Sequence, residues 1–302
     1  MTEASKPAPT ASSRRAVRIA FSLIAVLRFL PYPLLRSLGT GLGSLLWRVA
    51  GSRRRVVLRN LELCFPELDA GAREALGREH VRRLARTVFD RSILWFGSAD
   101  QVKRFVRVEN MELLAPGRPI ILLTPHFVGL DAAGARLGQE RDWCSIYSVQ
   151  SNSEIDSQIQ TLRLRFGRGL LLARNEGIRT MVRAIRAGRA FYYLPDMDFG
   201  ARDSVFVPFM GVNAATITGL ARLAQLTKAV VVPVVTRMTP DGYVVTLYPE
   251  WTDFPGAIDA DDPIHARRMN AFIEDRIREA PAEYYWVHRR FKTRPPGEPS
   301  LY

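Results

Sequence analysis

Residues 119–138, PIILLTPHFVGLDAAGARLG, pass from an unbroken apolar run to a helical pattern through a turn that holds one of only four histidines in the chain. Residues 119–124 read as a buried strand, because four large apolar residues in succession lie between Pro119 and Pro125. Residues 130–138 read as a helix. The same alternation continues outward, with strands at 143–148, 169–173, 190–194, 229–235 and 243–248 and helices at 154–166, 176–187 and 214–227. A last helix covers 266–279. Strands alternating with helices of this length predict an α/β fold whose central sheet, largely parallel or mixed, is covered by helices on both faces. Upstream, Leu76, Val81, Leu84, Val88, Ile93 and Trp95 recur near helical period and predict one long amphipathic helix over 71–97. No internal repeat or interdomain linker interrupts residues 56–302, which are expected to form one domain.

The 302-residue chain can bury a substantial core, and its 47% hydrophobic content excludes wholesale disorder. Its 43 Lys+Arg against 30 Asp+Glu give a net charge of +13, nearly all of the cations being arginine. Guanidinium groups favour phosphates and carboxylates, so the expected partner is anionic: nucleic acid, an acidic membrane or a phosphorylated ligand. Nucleic acid fits least, since there is no zinc spacing, RNP-like aromatic motif or basic zipper. Cys64 and Cys144 are isolated, which makes neither a metal cluster nor a disulfide framework and suits a cytoplasmic-side setting.

Residues 1–13, rich in Ser, Thr, Ala and Pro, are expected to be disordered. Residues 14–55 are apolar but interrupted by Arg18, Arg28, Arg36 and Arg48 and bent at Pro31 and Pro33, so neither apolar run reaches the ~20 residues of a bilayer span. Arg14, Arg15, Arg18 and Arg28 share half of a helical wheel, leaving Ile19, Phe21, Leu23, Ile24 and Leu27 for an apolar face. The pattern predicts two amphipathic helices lying in the headgroup region, with Arg53, Arg54 and Arg55 against anionic lipid. The competing reading is a helical hairpin packed on the protein's own core.

His126 stands two residues beyond the end of the 119–124 strand, where open α/β sheets collect functional groups. His126 and Asp131, five residues apart, diverge by roughly 140° on a continuous helix. The pair therefore works only across a strand-to-helix turn, which Pro125 and Gly129 favour. There Asp131 would accept from His126 Nδ1–H and leave Nε2 to take a proton from a hydroxyl. On spacing alone, a structural histidine closing a strand accounts for the same residues equally well.

The chain resembles the lysophospholipid acyltransferase superfamily, whose signature is His, four residues, then Asp or Glu. It resembles most closely the lipid A biosynthesis late acyltransferases, the lauroyl and myristoyl transferases, through NLELCFPE (60–67), HFVGLD (126–131), LPDMDFG (194–200), VFVPFMG (205–211) and YWVHRRFKTRP (285–295), in that order. The resemblance spans about residues 15 to 296. It implies a glycerolipid-acyltransferase-like fold and transfer of a fatty acyl chain from acyl carrier protein to a 3-hydroxyacyl hydroxyl on a lipid A precursor. His126 would be the base and Asp131 its orienting partner, with no acyl-enzyme, metal or cofactor, in a monomer on the cytoplasmic face of the inner membrane. Two departures from the usual pattern are Asp131 in place of Glu and Met197 in place of Gln.

The resemblance also implies substrate contacts. Arg165 matches an arginine of the family's second motif, suited to a phosphate or the thioester oxyanion. Asp196 and Asp198 are candidate substrate ligands, Asp198 pairing with Arg165 or a sugar hydroxyl, or simply forming a turn before Gly200. Phe209 and Met210 would line an acyl channel or pack in the core, ahead of a helix beginning near Asn213. Arg289, Arg290, Lys292 and Arg294 suit phosphate or the acidic face of a carrier protein. His288 is a secondary acid–base candidate, whereas His80 and His265 read as surface residues. Two rivals remain at this point: an acyltransferase for another acceptor, such as an ornithine lipid, lysolipid or glycolipid, and a non-catalytic basic protein that binds membrane surfaces or nucleic acid.

Overall fold

The computed structural model describes residues 11–173 and 178–302. Five helices come first: α1 (Ala11–Leu27), α2 (Tyr32–Val49), α3 (Gly51–Cys64), α4 (Ala70–Phe96) and α5 (Ala99–Phe105). There follow β1 (Val106–Glu109), β2 (Ile120–Leu123), α6 (Leu130–Leu137), β3 (Trp143–Tyr147), α7 (Ser153–Arg163), β4 (Leu170–Ala173), α8 (Ile178–Arg186) and β5 (Ala190–Tyr193). The chain closes with β6 (Ser204–Phe209), β7 (Val212–Ile217), α9 (Gly219–Thr227), β8 (Val230–Thr239), β9 (Gly242–Leu247) and α10 (Pro263–Glu279).

Seven strands form one mixed sheet in the order β1-β9-β8-β2-β5-β3-β4, parallel except where β9 returns antiparallel beside β8. β2 is central, and all four of its residues are buried because alternate side chains enter different cores. Ile121 and Leu123 join Met181, Ile185, Leu220, Leu223, Met269 and Ile273 of α8, α9 and α10. Ile120 and Leu122 join Leu94, Trp95, Ala132, Ala133 and Leu137 of α4 and α6. Helices thus cover both faces, as the alternation of patterns predicts.

Local chemistry sets the helix starts. Asp69 opens α4 by accepting from the Ala72 amide at 2.7 Å, Ser98 and Gln101 form a reciprocal capping box at α5, and Asn152 caps α7. The N-terminal segment forms α1, a bend at Pro31, and α2. Leu35, Gly39, Gly43 and Trp47 make a buried stripe on α2 that packs against α4. The glycines permit that approach: a Cβ at Gly39 would lie 2.6 Å from Arg86 Cα, and one at Gly43 2.5 Å from Arg82 Cα. The outer faces of α1 and α2 and the bend between them leave Leu23, Val26, Phe29, Leu34, Leu45 and Val49 exposed. No described helix is long and apolar enough to cross a membrane.

Several expectations need correction. Residues 1–10 of the expected disordered tail, and 176–177 of one expected helix, lie outside the described residues, while residues 11–13 belong to α1. The helix expected at 214–227 begins only at Gly219; residues 212–217 are β7, hairpin partner of β6. Met210 and Gly211 connect the hairpin, both with positive φ (50° and 81°), the conformation that a two-residue turn matching strand twist requires. The β-branched Thr216 and Ile217 favour the strand. His80 and His265 are buried, not surface residues: His80 Nδ1–H donates to the Ala282 carbonyl, and His265 Nε2–H to that of Asp259, each at 3.0 Å.

Candidate active site

β2 and β5 pair in parallel with Ile120 opposite Ala190 and Leu123 opposite Tyr193. The Thr124 amide still donates to the Tyr193 carbonyl at 2.9 Å, and both chains then meet a proline, Pro125 and Pro195. Carried three residues past the strand ends, the same offset places His126 opposite Asp196. The Asp196 carboxylate accepts from His126 Nδ1–H at 2.7 Å and from the His126 backbone amide at 2.9 Å. Asp196 is 1% exposed. Burial opposes its ionisation, but the imidazole and the two hydrogen bonds from His126 outweigh burial and hold its carboxyl down at about 2. The Tyr285 amide donates to the His126 carbonyl at 3.0 Å, and the Val128 amide to Glu283 at 2.8 Å, so the C-terminal segment clamps the histidine loop.

Asp131 does not bond to His126. It is the second residue of α6, where its charge suits the helix N-terminus, and it turns toward α4 and α7. Its Oδ2 accepts from Arg91 Nε at 3.0 Å and its Oδ1 from Arg163 at 3.0 Å. Burial raises the carboxyl and the two arginines more than compensate, leaving it at about 2. The local five-residue spacing points to a carboxylate that does not hydrogen-bond to His126, because a residue inside the first turn of α6 follows the helix axis and not the loop that carries His126.

His126 and Asp131 both line a cleft of about 970 Å³ across the carboxyl ends of the parallel strands. Its walls are mainly apolar. Trp95, Leu130, Trp143 and Leu162 form one side, Met181, Phe191, Tyr193 and Leu223 the other, and Arg163 and Asp198 also face it. Among the described residues nothing hydrogen-bonds to His126 Nε2. One imidazole nitrogen is therefore held and the other is open, at the edge of a space shaped for hydrocarbon.

A family model described as bacterial lipid A biosynthesis acyltransferase matches residues 10–293. The lipid A biosynthesis lauroyltransferase of Escherichia coli (strain K12) is 36% identical over 281 residues, 90% of either chain. This chain belongs to the bacterial lipid A biosynthesis acyltransferase family. The palmitoleoyltransferase of the same organism is 33% identical over 280 residues, 90% of either chain. Its myristoyltransferase is 32% identical over 273 residues, 88% of this chain and 82% of that one. Among solved structures, the 1-acyl-sn-glycerophosphate acyltransferase of Thermotoga maritima is 14% identical with a TM-score of 0.42, covering 83% of this chain and 98% of its own.

The other candidate residues of this acyltransferase separate into those at the cleft and those outside it. Arg165 does not line the cleft; its guanidinium donates to the Leu94 and Gly97 carbonyls at the end of α4 and stacks on Phe166. Arg163, two residues earlier, and Arg222 line the cleft instead, and sequence reasoning missed both. Asp198 lines the cleft, but both its oxygens are engaged by Thr293, from the amide at 2.7 Å and the hydroxyl at 2.8 Å, and it accepts from Gly200 in the expected turn. Phe209 is fully buried against Tyr284, Phe291 and Arg290, which is core and not channel.

Arg290 is also fully buried, donating to the Ala215 carbonyl and Thr216 Oγ1, so it ties the C-terminal segment to β7 and is not placed to meet substrate. Arg289 is exposed and lies over Tyr302; Arg294 pairs with Glu298. His288 is buried with its ring stacked on Tyr285, and burial holds it down at about 4. Both cysteines are buried, which pushes their thiols up, Cys144 to about 12, and makes them poor nucleophiles. Met197 lines the cleft between the two aspartates.

Proposed function

We propose that this acyltransferase moves a fatty acyl chain from acyl carrier protein to the hydroxyl of a 3-hydroxyacyl chain on a lipid A precursor of the Kdo-lipid IVA type. One observation carries the chemistry: His126 is fixed at Nδ1 and at its backbone by Asp196, while Nε2 opens into an apolar cleft. Nε2 takes the acceptor hydroxyl proton as that oxygen attacks the thioester carbonyl. The C–S bond then breaks, and the imidazolium returns its proton to the departing thiolate. Asp196 fixes the tautomer and stabilises the imidazolium, the role of the aspartate in a Ser-His-Asp triad. Arg163, anchored by Asp131, supplies positive charge beside the developing oxyanion. A thioester is already activated, so direct attack asks for neither acyl-enzyme nor cofactor.

The exposed apolar residues of α1 and α2, flanked by Arg14, Arg15, Arg28 and Arg48, support peripheral attachment to an anionic membrane from which the acceptor's acyl chains enter the cleft. The test joins purified His126→Ala with membrane lipids of a deletion strain. Loss of transfer to the phosphorylated disaccharide acceptor and of one secondary chain from lipid A is expected. Retained turnover in His126→Ala overturns the mechanism, and unchanged lipid A with an altered ornithine lipid or lysolipid overturns the acceptor.

A further inference from the structure

The excess positive charge of the chain is unevenly neutralised. Arg83, Arg222, Arg267 and Arg278 on other helices each meet a carboxylate. Between Asp156 and Asp196, by contrast, the sequence holds eight arginines and one acid. On α8, Arg179, Arg183 and Arg186 recur at i, i+4 and i+7 and are exposed, while Met181, Ala184 and Ile185 on the inner side are buried. Arg168 is exposed at the far end of the row, where its carbonyl accepts from Arg189. Among the described residues, none of these five arginines forms an ion pair.

The row adjoins the cleft, since Ile178 and Met181 of α8 line it. It is also separate from the apolar surface of α1. α8 packs into the core on one face of the sheet, whereas Phe21 of α1 and Trp95 of α4 pack into the core on the other. Ile178 is the one exposed large hydrophobic residue on α8, so this surface lacks the apolar side chains with which a helix enters a bilayer. A charged, weakly apolar face at the mouth of a hydrocarbon cleft fits an acidic protein that must deliver a chain into that cleft.

We infer that Arg179 and Arg183, at the cleft end of α8, dock the acidic surface of the carrier protein that presents the acyl thioester. The inference rests on the donor reading above and locates it on α8, away from the 289–294 cluster to which the sequence pointed.

The test compares Arg179→Glu/Arg183→Glu with wild type on two donors: acyl carrier protein and free pantetheine carrying the same acyl chain. Like charges across a docking surface are expected to lower kcat/KM for the carrier donor by roughly 10- to 100-fold, through KM, with free acyl-pantetheine unaffected. Arg104→Glu, on α5, should leave both donors unchanged. Equal loss on both donors overturns the docking site, as does full carrier activity accompanied by weakened binding to anionic vesicles. If wild type gains nothing from the carrier over pantetheine, the donor reading itself fails, and this shows before any variant is made.

Discussion

Asp196 holds His126 at two points, accepting from Nδ1 at 2.7 Å and from the backbone amide at 2.9 Å, so one buried carboxylate sets both the ring tautomer and the loop. Asn at 196 has a single acceptor oxygen for these two donors, and one of them must lose its partner. Asp196→Asn is expected to lower kcat by roughly 10³- to 10⁴-fold with little change in KM. Asp131→Asn leaves His126 held and only loosens Arg163 beside the oxyanion, so it should lower kcat by a smaller factor, roughly 10- to 100-fold. Steady-state kinetics on both variants decides the assignment; a kcat loss greater for Asp131→Asn transfers the orienting role to Asp131.

The α2–α4 contact depends on the absence of two side chains. Gly43→Ala would bring Cβ to 2.5 Å from Arg82 Cα and 2.8 Å from the Val81 carbonyl, backbone atoms that yield only if the helices part. It is expected to cost about 1–3 kcal/mol. Gly41→Ala meets nothing within 4 Å and should stabilise by up to ~1 kcal/mol through helix propensity. Thermal melts of the two variants in detergent should move in opposite directions.

His80 is buried, and burial holds it at about 4 against an ordinary value near 6.5. Between those values the unfolded chain binds a proton that the folded chain refuses. The stability from neutral His80 is therefore complete above about pH 6.5 and is lost as pH falls toward 4. In denaturant melts, the stability gap between wild type and His80→Gln should narrow by about 2–3 kcal/mol from pH 7 to pH 4.5. A constant gap would show that His80 titrates alike in both states.

Phe29 and Val26 project from the end of α1 with most of their surface exposed. If this face rests in the headgroup region, Phe29→Ser/Val26→Ser removes about 2–4 kcal/mol of apolar burial and should weaken binding to anionic vesicles by more than 10-fold. Flotation with vesicles measures this. Unchanged flotation would move membrane contact to another surface.

Much of the architecture is visible in local patterns. The apolar runs at 120–123 and 190–193 become strands, and the periodic stretch near 71–97 becomes α4. The hairpin of β6 and β7 was hidden behind a helix assignment, although a residue-plus-glycine pair between two β-patterned runs, Met210-Gly211, was the available signal. His80 and Arg290 were misplaced because polar residues are assigned to the surface by default, and only the packing of the C-terminal segment shows that each has partners inside.

His126 was legible as a functional candidate because it stands just past a buried strand and because the ordered motifs around it favour that reading over a structural histidine. Its partner was not legible, since the two matching segments, LLTPH ending at His126 and YYLPD ending at Asp196, become neighbours only when β2 and β5 pair in register. Sequence by itself therefore determined the α/β class, the family and the strand end that bears the histidine, all of which follow from local pattern or from ordered motifs. Tertiary structure alone decided which carboxylate hydrogen-bonds to that histidine and which arginines face the cleft. Strand pairing joins residues seventy positions apart, and a helix axis turns a near neighbour away.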